Sequence, residues 1–118
     1  MSIITLTETN FDQVIDGHEI VVIDFWANWC QPCLAFAETF KRVAERFPAV
    51  TFAKVDVEQE TQLATDFSVR SIPLLVILKQ QVIVFAESGS LPETVLVELV
   101  EQAQALDMSK VETKGDDD

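Results

Sequence analysis

The stretch from Asp24 to Cys33, DFWANWCQPC, contains both cysteines of this 118-residue chain and decides its fold. The residues leading into it, Ile20 to Trp26, are almost continuously apolar and rich in β-branched side chains. Such a run predicts a strand buried on both faces. After it, apolar residues recur at helical spacing as far as Phe47. The cysteines are therefore placed on a strand-to-helix turn, with Cys30 at the helix N-terminus and Cys33 one turn in.

This position favours redox chemistry. The free N–H groups and dipole at a helix N-terminus stabilise a thiolate, so the pKa of Cys30 is expected to be lowered, and the thiolate is the form that attacks a disulfide. Cys33 is near enough to close a small disulfide loop. A structural disulfide in so short a loop constrains little, and zinc normally needs four ligands although only His18 could join the thiolates. We interpret the cysteines as a redox pair with Cys30 as the nucleophile, and we predict no metal or cofactor.

A carboxylate inside the apolar strand is the second unusual feature. Asp24 would be costly there as an unpaired charge, so burial is expected to raise its pKa, which suits a group that exchanges protons. The alternative is that Asp24 is a structural acid paired with Lys54. Both interpretations can hold together.

The sequence resembles the thioredoxin family over about residues 3 to 106. Trp29-Cys30-Gln31-Pro32-Cys33 is similar to the thioredoxin active site, which usually has Gly where Gln31 stands. Further positions match the buried family acid, a tryptophan beside the active site, the lysine that approaches the acid, a cis X-Pro pair and a glycine on the substrate-facing rim: Asp24, Trp26, Lys54, Ile72-Pro73 and Gly89.

The resemblance implies a role for each matched residue. Cys30 attacks a substrate disulfide, Cys33 resolves the mixed disulfide, and Asp24 exchanges a proton with Cys33 beside Lys54. The Ile72-Pro73 peptide bond is expected to be cis, with the Ile72 backbone opposite Cys30 ready to pair with an extended substrate. The substrate-binding residues implied in this way are Trp29, Gln31, Pro32, Ile72, Pro73 and Gly89.

Several positions depart from the family pattern. Gln31 adds bulk between the cysteines, and Leu34 replaces a frequent lysine and so removes a positive charge near the thiolate. Glu38 stands where many thioredoxins have a helix-kinking proline, which predicts a straighter helix. Ser71 and Gln81 replace frequent glycines. None of these changes removes a group that the dithiol mechanism needs.

Composition limits the class of partner and the compartment. The chain has 8 Lys and Arg against 20 Asp and Glu, a formal charge of −12, which argues against nucleic-acid binding and is interpreted as favouring solubility. The first ten residues lack a signal-peptide pattern, and no apolar run is long enough to span a membrane. A redox pair suits a cytoplasmic protein, and we expect a monomer in that compartment.

Hydrophobic periodicity predicts an α/β fold, a central mixed β-sheet flanked by helices on both faces, in a single domain over residues 1–107, and the resemblance implies that this is a thioredoxin domain. An acidic, disordered tail is predicted over 108–118. Caps are predicted at Thr9 with Asp12 and at Ser90 with Glu93. The predicted elements are strands over 3–6, 20–26, 50–57, 74–78 and 82–85, and helices from Thr9 to Asp16, Pro32 to Phe47, Gln59 to Phe67 and Ser90 to Leu106.

The predicted function is thiol–disulfide exchange by a cytoplasmic protein-disulfide reductase. Its partners would be disulfide-containing proteins and a flavoprotein thioredoxin reductase. Two alternatives remain open: a disulfide oxidase or isomerase with a more oxidising potential, and a binding module or chaperone adaptor that scarcely cycles its cysteines.

Overall fold

The computed structural model describes residues 3–110. Within them, the strands and the four α-helices follow one another in the order predicted from the sequence. Its elements are β1 (Ile4–Thr5), α1 (Phe11–Gly17), β2 (Ile20–Trp26), α2 (Gln31–Arg46), β3 (Thr51–Asp56), α3 (Thr61–Asp66), β4 (Leu74–Lys79), β5 (Val82–Ser88), α4 (Glu93–Ala105) and a 3-10 turn (Met108–Lys110).

The five strands form one mixed sheet in the order β1-β3-β2-β4-β5. The strands β1, β3 and β2 run parallel, whereas β4 is antiparallel to β2 and β5 is antiparallel to β4. The central strand β2 is buried between β3 and β4, which explains its continuous apolar sequence. The predicted mixed sheet is confirmed.

Each face of the sheet packs against a pair of helices. Side chains alternate across a strand, so Val22 and its β3 neighbour Phe52 face α2 and α4, whereas Ile23 and Phe25 face α1 and α3. By the same alternation Asp24 lies on the α2 side. The acid and the cysteine-bearing helix therefore share one face of the sheet.

Both predicted helix caps are wrong. The reciprocal side-chain bonds before α1 join Thr7 and Asn10: the Thr7 N–H donates to Asn10 Oδ1 at 2.8 Å and the Asn10 N–H donates to Thr7 Oγ1 at 3.2 Å. The N-cap of α1 is Asn10 rather than Thr9. The N-cap of α4 is Pro92 in extended backbone (φ −62°, ψ 152°), so Ser90 lies outside that helix.

The hairpin between β4 and β5 has a two-residue turn, Gln80–Gln81, with φ of 51° and 68°. Positive φ at both central residues is the pattern of the type I′ turn, which usually contains asparagine or glycine. Further along, Ile77 pairs with Phe85 and Leu78 pairs with Ile83. The strand β5 therefore carries one extra residue, Val84, as a bulge.

A buried lysine joins the sheet to the end of α4. Lys79 is 4% exposed, and its Nζ donates to the carbonyl oxygens of Ala103, Gln104 and Leu106 at 2.7, 3.0 and 2.8 Å. These carbonyls belong to the last turn of the helix, where cations are stabilising. The chain then forms the 3-10 turn over Met108–Lys110, which are the first three residues of the stretch predicted to be a disordered tail. The rest of that tail lies outside the described residues.

Candidate redox site

The two cysteines lie where the sequence places them, at the start of α2. Cys30 is the N-cap residue, Pro32 occupies the first turn, and the Cys33 N–H donates to Cys30 Sγ at 3.2 Å. The two sulfurs form a disulfide, with Cα atoms 5.2 Å apart. A cap sulfur that already accepts a backbone N–H is positioned to be stabilised as a thiolate when the disulfide is reduced.

Both cysteines of the oxidised protein are nearly buried. Cys30 is 5% exposed and Cys33 is 1% exposed, so both belong to a small buried cluster with Ala27. Trp26, Val57 and Ile72 pack around this cluster. Cys30 therefore offers a substrate little accessible surface, and Cys33 offers almost none.

Burial perturbs Asp24 as predicted. The carboxyl is 3% exposed, and desolvation raises its pKa from 3.8 to about 7, with the positive charge of Lys54 acting in the opposite direction. Within residues 3–110, Asp24 Oδ1 and Trp26 Nε1 are the buried side-chain polar atoms without a hydrogen-bond partner. A carboxyl that titrates near neutral pH can both take up and release a proton.

Lys54 is the direct neighbour of Asp24 on β3 but does not neutralise it. The two residues are Cα partners across the parallel β2–β3 pair, and the Lys54 ammonium lies 5.6 Å from the centre of the Trp26 ring. Among the described residues, the ion pairs within 4 Å join Arg42 and Arg46 to Glu93. The close Asp24–Lys54 pairing considered from the sequence is thus a longer-range interaction.

The loop before β4 brings a backbone carbonyl to the disulfide. The Ile72-Pro73 peptide bond is cis, and the Ile72 carbonyl oxygen lies 3.8 Å from Cys30 Sγ. The Gly89 N–H donates to the Pro73 carbonyl at 2.8 Å, with Gly89 at φ 120°, a conformation that favours glycine. The segments around Ile72 and Gly89 are thereby held side by side next to Cys30.

Five of the six predicted substrate-binding residues reach the surface around the disulfide. Pro73 is the sixth; it is buried, and Ile72 is half-buried. Trp29 is 63% exposed, the most exposed large apolar side chain of residues 3–110. We call the accessible set the docking face: Trp29, Gln31, Pro32, Ile72 and Gly89.

The sequence reasoning missed Glu58. Trp29 Nε1 donates to Glu58 Oε2 at 3.2 Å, which holds the indole beside the redox pair. Glu58 follows β3, whose C-terminal end lies at the same edge of the sheet as that of β2 because the two strands are parallel. The predicted parallel pairing of β2 and β3 could have indicated that residues following the two strands lie close together. Nothing in the sequence, however, distinguishes Glu58 from the acids around it.

Comparison with known proteins agrees with this geometry. The sequence model of the thioredoxin family, described simply as Thioredoxin, matches residues 2–102. The chain belongs to the thioredoxin family. It is 46% identical over 110 residues to the Streptomyces coelicolor protein assigned as thioredoxin 2, covering 93% of this chain and 82% of that one. It is 41% identical over 100 residues to thioredoxin C-3 of Corynebacterium nephridii, covering 84% of this chain and 69% of that one.

Solved thioredoxin structures share the fold. A mutant thioredoxin from Halobacterium salinarum superposes with a TM-score of 0.82 at 30% identity, covering 88% of this chain and 92% of that chain. Fasciola hepatica thioredoxin gives 0.80 at 34% identity, covering 86% and 99%. The chain is therefore a thiol–disulfide oxidoreductase of the thioredoxin fold, with protein-disulfide reductase activity and Cys30–Cys33 as its redox pair.

Residues 3–110 contain neither a helix that could span a membrane nor a metal-binding cluster of His, Cys, Asp and Glu side chains. No helix in that range is long and apolar enough to cross a membrane. The same range contains no cluster of three or more His, Cys, Asp or Glu side chains arranged to hold a metal ion.

Proposed function

We propose that Cys30 is the attacking cysteine and Cys33 the resolving one in the reduction of protein disulfides. The observation that carries the proposal is the position of Cys30 Sγ, which caps α2 and lies 3.8 Å from the Ile72 carbonyl oxygen on the docking face. Cys33 is behind it and nearly inaccessible. An incoming disulfide can thus meet one sulfur, and the resulting mixed disulfide leaves the other sulfur within reach.

Asp24 acts as the proton acceptor and donor of the pair in this proposal. Its raised pKa of about 7 and its place on the α2 side of the sheet support that role. Lys54 limits the rise in the Asp24 pKa through its positive charge. The two residues together keep a titratable carboxyl close to the pH at which the reaction runs.

The remaining assignments extend the same proposal. The docking face, together with Pro73 beneath it, binds an extended segment of the substrate next to Ile72. A flavoprotein thioredoxin reductase returns electrons to the Cys30–Cys33 disulfide, and the enzyme works as a monomer in the cytoplasm, where thiols are kept reduced.

An insulin-reduction assay tests the role of the cysteines. The wild-type protein is expected to accelerate the reduction of insulin by dithiothreitol, whereas Cys30→Ser reduces the rate to that of dithiothreitol alone. In a separate reaction from which dithiothreitol has been removed, pre-reduced Cys33→Ser is expected to accumulate a mixed disulfide with insulin, detectable by mass spectrometry, because resolution is lost. Undiminished activity of Cys30→Ser would contradict the assignment and favour an adaptor that binds without exchange.

The role of Asp24 has its own test. Asp24→Asn is expected to lower insulin-reduction turnover about tenfold or more near pH 7, since the resolving step loses its acceptor. Turnover of the variant should also lose the part of its pH dependence that titrates near pH 7. An unchanged rate and pH profile would leave Asp24 as a structural group only.

A further inference from the structure

The docking face lies at an edge of the sheet that carries several carboxylates. The C-terminal ends of β2 and β3 meet there, since Trp26 is the Cα partner of Asp56. The C-terminal end of β5 meets there too, since Leu74 at the start of β4 pairs with Ser88 at the end of β5. This edge carries acids from the end of β3, from the segment after β3 and from near the end of β5: Asp56, Glu58, Glu60 and Glu87.

Hydrogen bonds to neutral groups hold three of these four carboxylates in place. Glu58 accepts from Trp29 at 3.2 Å, and Asp56 accepts from the Glu58 backbone N–H at 2.9 Å. Glu60 accepts from the Glu8 backbone N–H at 2.9 Å, and the Glu8 carboxylate in turn accepts from a backbone N–H of α3 at 3.0 Å. None of these contacts cancels a negative charge. Lys54 lines a cavity with Asp56 and Glu60 and offsets part of their charge, but the acids at this edge outnumber it, so the edge keeps a net negative charge near the disulfide.

The positive side chains of residues 3–110 lie mostly elsewhere. Lys79 is buried against the end of α4, and Arg42 and Arg46 pair with Glu93. Lys54 is half-buried over Trp26. Lys41 is in the second half of α2, Lys110 is in the final 3-10 turn, and Arg70 is the exposed cation in the loop before Ile72.

On the helix side, the position next to the nucleophile is apolar. The Leu34 N–H donates to the Cys30 carbonyl at 3.1 Å, which places Leu34 one helical turn from Cys30, and its side chain is 41% exposed. Residues four apart on a helix share a face. A partner docked at Cys30 thus meets apolar surface at Trp29 and Leu34 and negative charge at Glu58.

We propose that this face selects disulfides carried on basic segments of partner proteins. This selection rests on the proposed function. The redox pair determines where the substrate disulfide lies, independently of the acids around it. The Cys30 thiolate attacks a sulfur of the substrate disulfide, forms a mixed disulfide and expels one substrate thiolate. The Cys33 thiolate then attacks Cys30 Sγ, releases the second substrate thiolate and leaves Cys30–Cys33 oxidised, so two electrons pass from the protein to the substrate. Lysine and arginine beside the substrate cysteines meet the acids as the complex forms.

Two cyclic peptide disulfides test the proposal. They share one sequence and differ only in two flanking residues, which are both Lys or both Glu. The pre-reduced protein is mixed with each peptide, the reaction is quenched with acid, and products are measured by mass. Each second-order rate constant is divided by the rate constant for dithiothreitol, because a flanking lysine alone makes a disulfide more reactive. The corrected Lys-to-Glu ratio is expected to be about ten at low ionic strength and to fall towards one as salt screens the charges.

Matched variants locate the effect. Glu58→Gln keeps an oxygen that can accept from Trp29 Nε1 but removes the charge, and it should lower the ratio about two- to threefold. Glu98→Gln makes the same change of net charge on the exposed surface of α4 and should leave the ratio unchanged. Leu34→Lys should lower the ratio, whereas Leu34→Gln should not. Any change in the reactivity of the Cys30 thiolate cancels in the ratio, because both peptides react with the same thiolate.

The possible outcomes distinguish a failure of the proposed preference for basic segments from a failure of the proposed disulfide reduction. A corrected ratio near one overturns the proposed selection while leaving disulfide reduction intact. An equal fall for Glu58→Gln and Glu98→Gln also overturns it, since the preference would then follow total charge rather than the docking face. If neither peptide is reduced faster than by Cys30→Ser, the proposed function itself fails.

Discussion

Asp24 and Lys54 are neighbours in register on β2 and β3, yet the Lys54 ammonium lies over the Trp26 ring and the Asp24 carboxyl keeps a raised pKa of about 7. A carboxyl with a higher pKa in the folded state than in the unfolded chain lowers the free energy of unfolding at any pH at which that carboxyl is ionised in the unfolded chain. This relationship links the proposed chemistry of Asp24 to the stability of the whole domain.

The free energy of unfolding of the oxidised protein is expected to fall as pH rises from about 4 to about 7. Over that range the folded state binds more protons at Asp24 than the unfolded chain, whose carboxyl titrates near 3.8. The gap between the two pKa values corresponds to at most about 4 kcal/mol. In urea titrations, Asp24→Asn should remove this slope and be more stable than wild type at pH 8. An unchanged slope would place the pH dependence at other groups.

Alkylation of the reduced protein should label Cys30 before Cys33. Although both sulfurs are nearly buried in the disulfide form, Cys30 faces the docking surface and caps α2, whereas Cys33 lies behind it. Peptide mapping after brief iodoacetamide treatment near neutral pH measures the order, with Cys30→Ser as the control for background labelling of Cys33. Equal or reversed labelling would exchange the proposed roles.

Leu34→Lys is expected to lower the Cys30 pKa and raise the reduction potential. A cation one helical turn from Cys30 stabilises the thiolate and hence the reduced state. Gln31→Gly should act mainly on substrate rate, because Gln31 is exposed on the docking face. Thiolate absorbance against pH and glutathione equilibration measure both quantities. A large pKa change in Gln31→Gly with none in Leu34→Lys would show that local charge does not control the thiolate.

Lys79→Met is expected to destabilise the oxidised protein by about 2 to 4 kcal/mol. The substitution removes a charged donor from three carbonyls at the end of α4 and leaves them poorly satisfied. Lys41→Met makes the same chemical change at an exposed position of α2 and should have little effect. Denaturant unfolding measures both. Similar stabilities for the two variants would show that the buried ammonium does not fasten the helix.

The double substitution Gln80→Asn, Gln81→Gly should stabilise the hairpin by about 1 kcal/mol. Both glutamines have positive φ, which asparagine tolerates better than glutamine and which glycine adopts freely. Gln13→Asn with Gln102→Gly provides a control at two exposed helical positions, where it should be destabilising. Thermal unfolding compares these variants. A loss of stability in the hairpin variant would mean that the glutamine side chains stabilise the folded state by more than their backbone strain destabilises it.

The redox pair was predictable because its chemistry is local in sequence. A strand, two cysteines with a proline between them and a helical pattern determine that Cys30 caps α2. The raised pKa of Asp24 was predictable as well, since a carboxyl in the middle of an apolar run must be desolvated. These features depend on neighbours along the chain or on burial alone.

Features that depend on contacts between distant segments were not predictable in the same way. Ser90 and Glu93 fit a capping pattern, but Pro92 keeps extended backbone immediately before α4 and starts the helix later. Glu58 meets Trp29 because two parallel strands end together, which no local pattern reports. The Lys54 ammonium lies over the Trp26 ring, a position that the alternating pattern of β3 does not predict.

The bulge at Val84 has a consequence for how the protein coexists with its substrates. A regular β5 would offer a row of free backbone groups at the edge of the sheet, and any partially unfolded chain could add to it as a sixth strand. The extra residue bends and twists that edge, and the opposite edge, β1, is only two residues long. Enzymes that handle unfolding clients risk being captured by them. Both edges of this sheet are therefore expected to be poor templates for an added strand, so a client's lasting attachment is expected only at the bond that Cys33 is proposed to break.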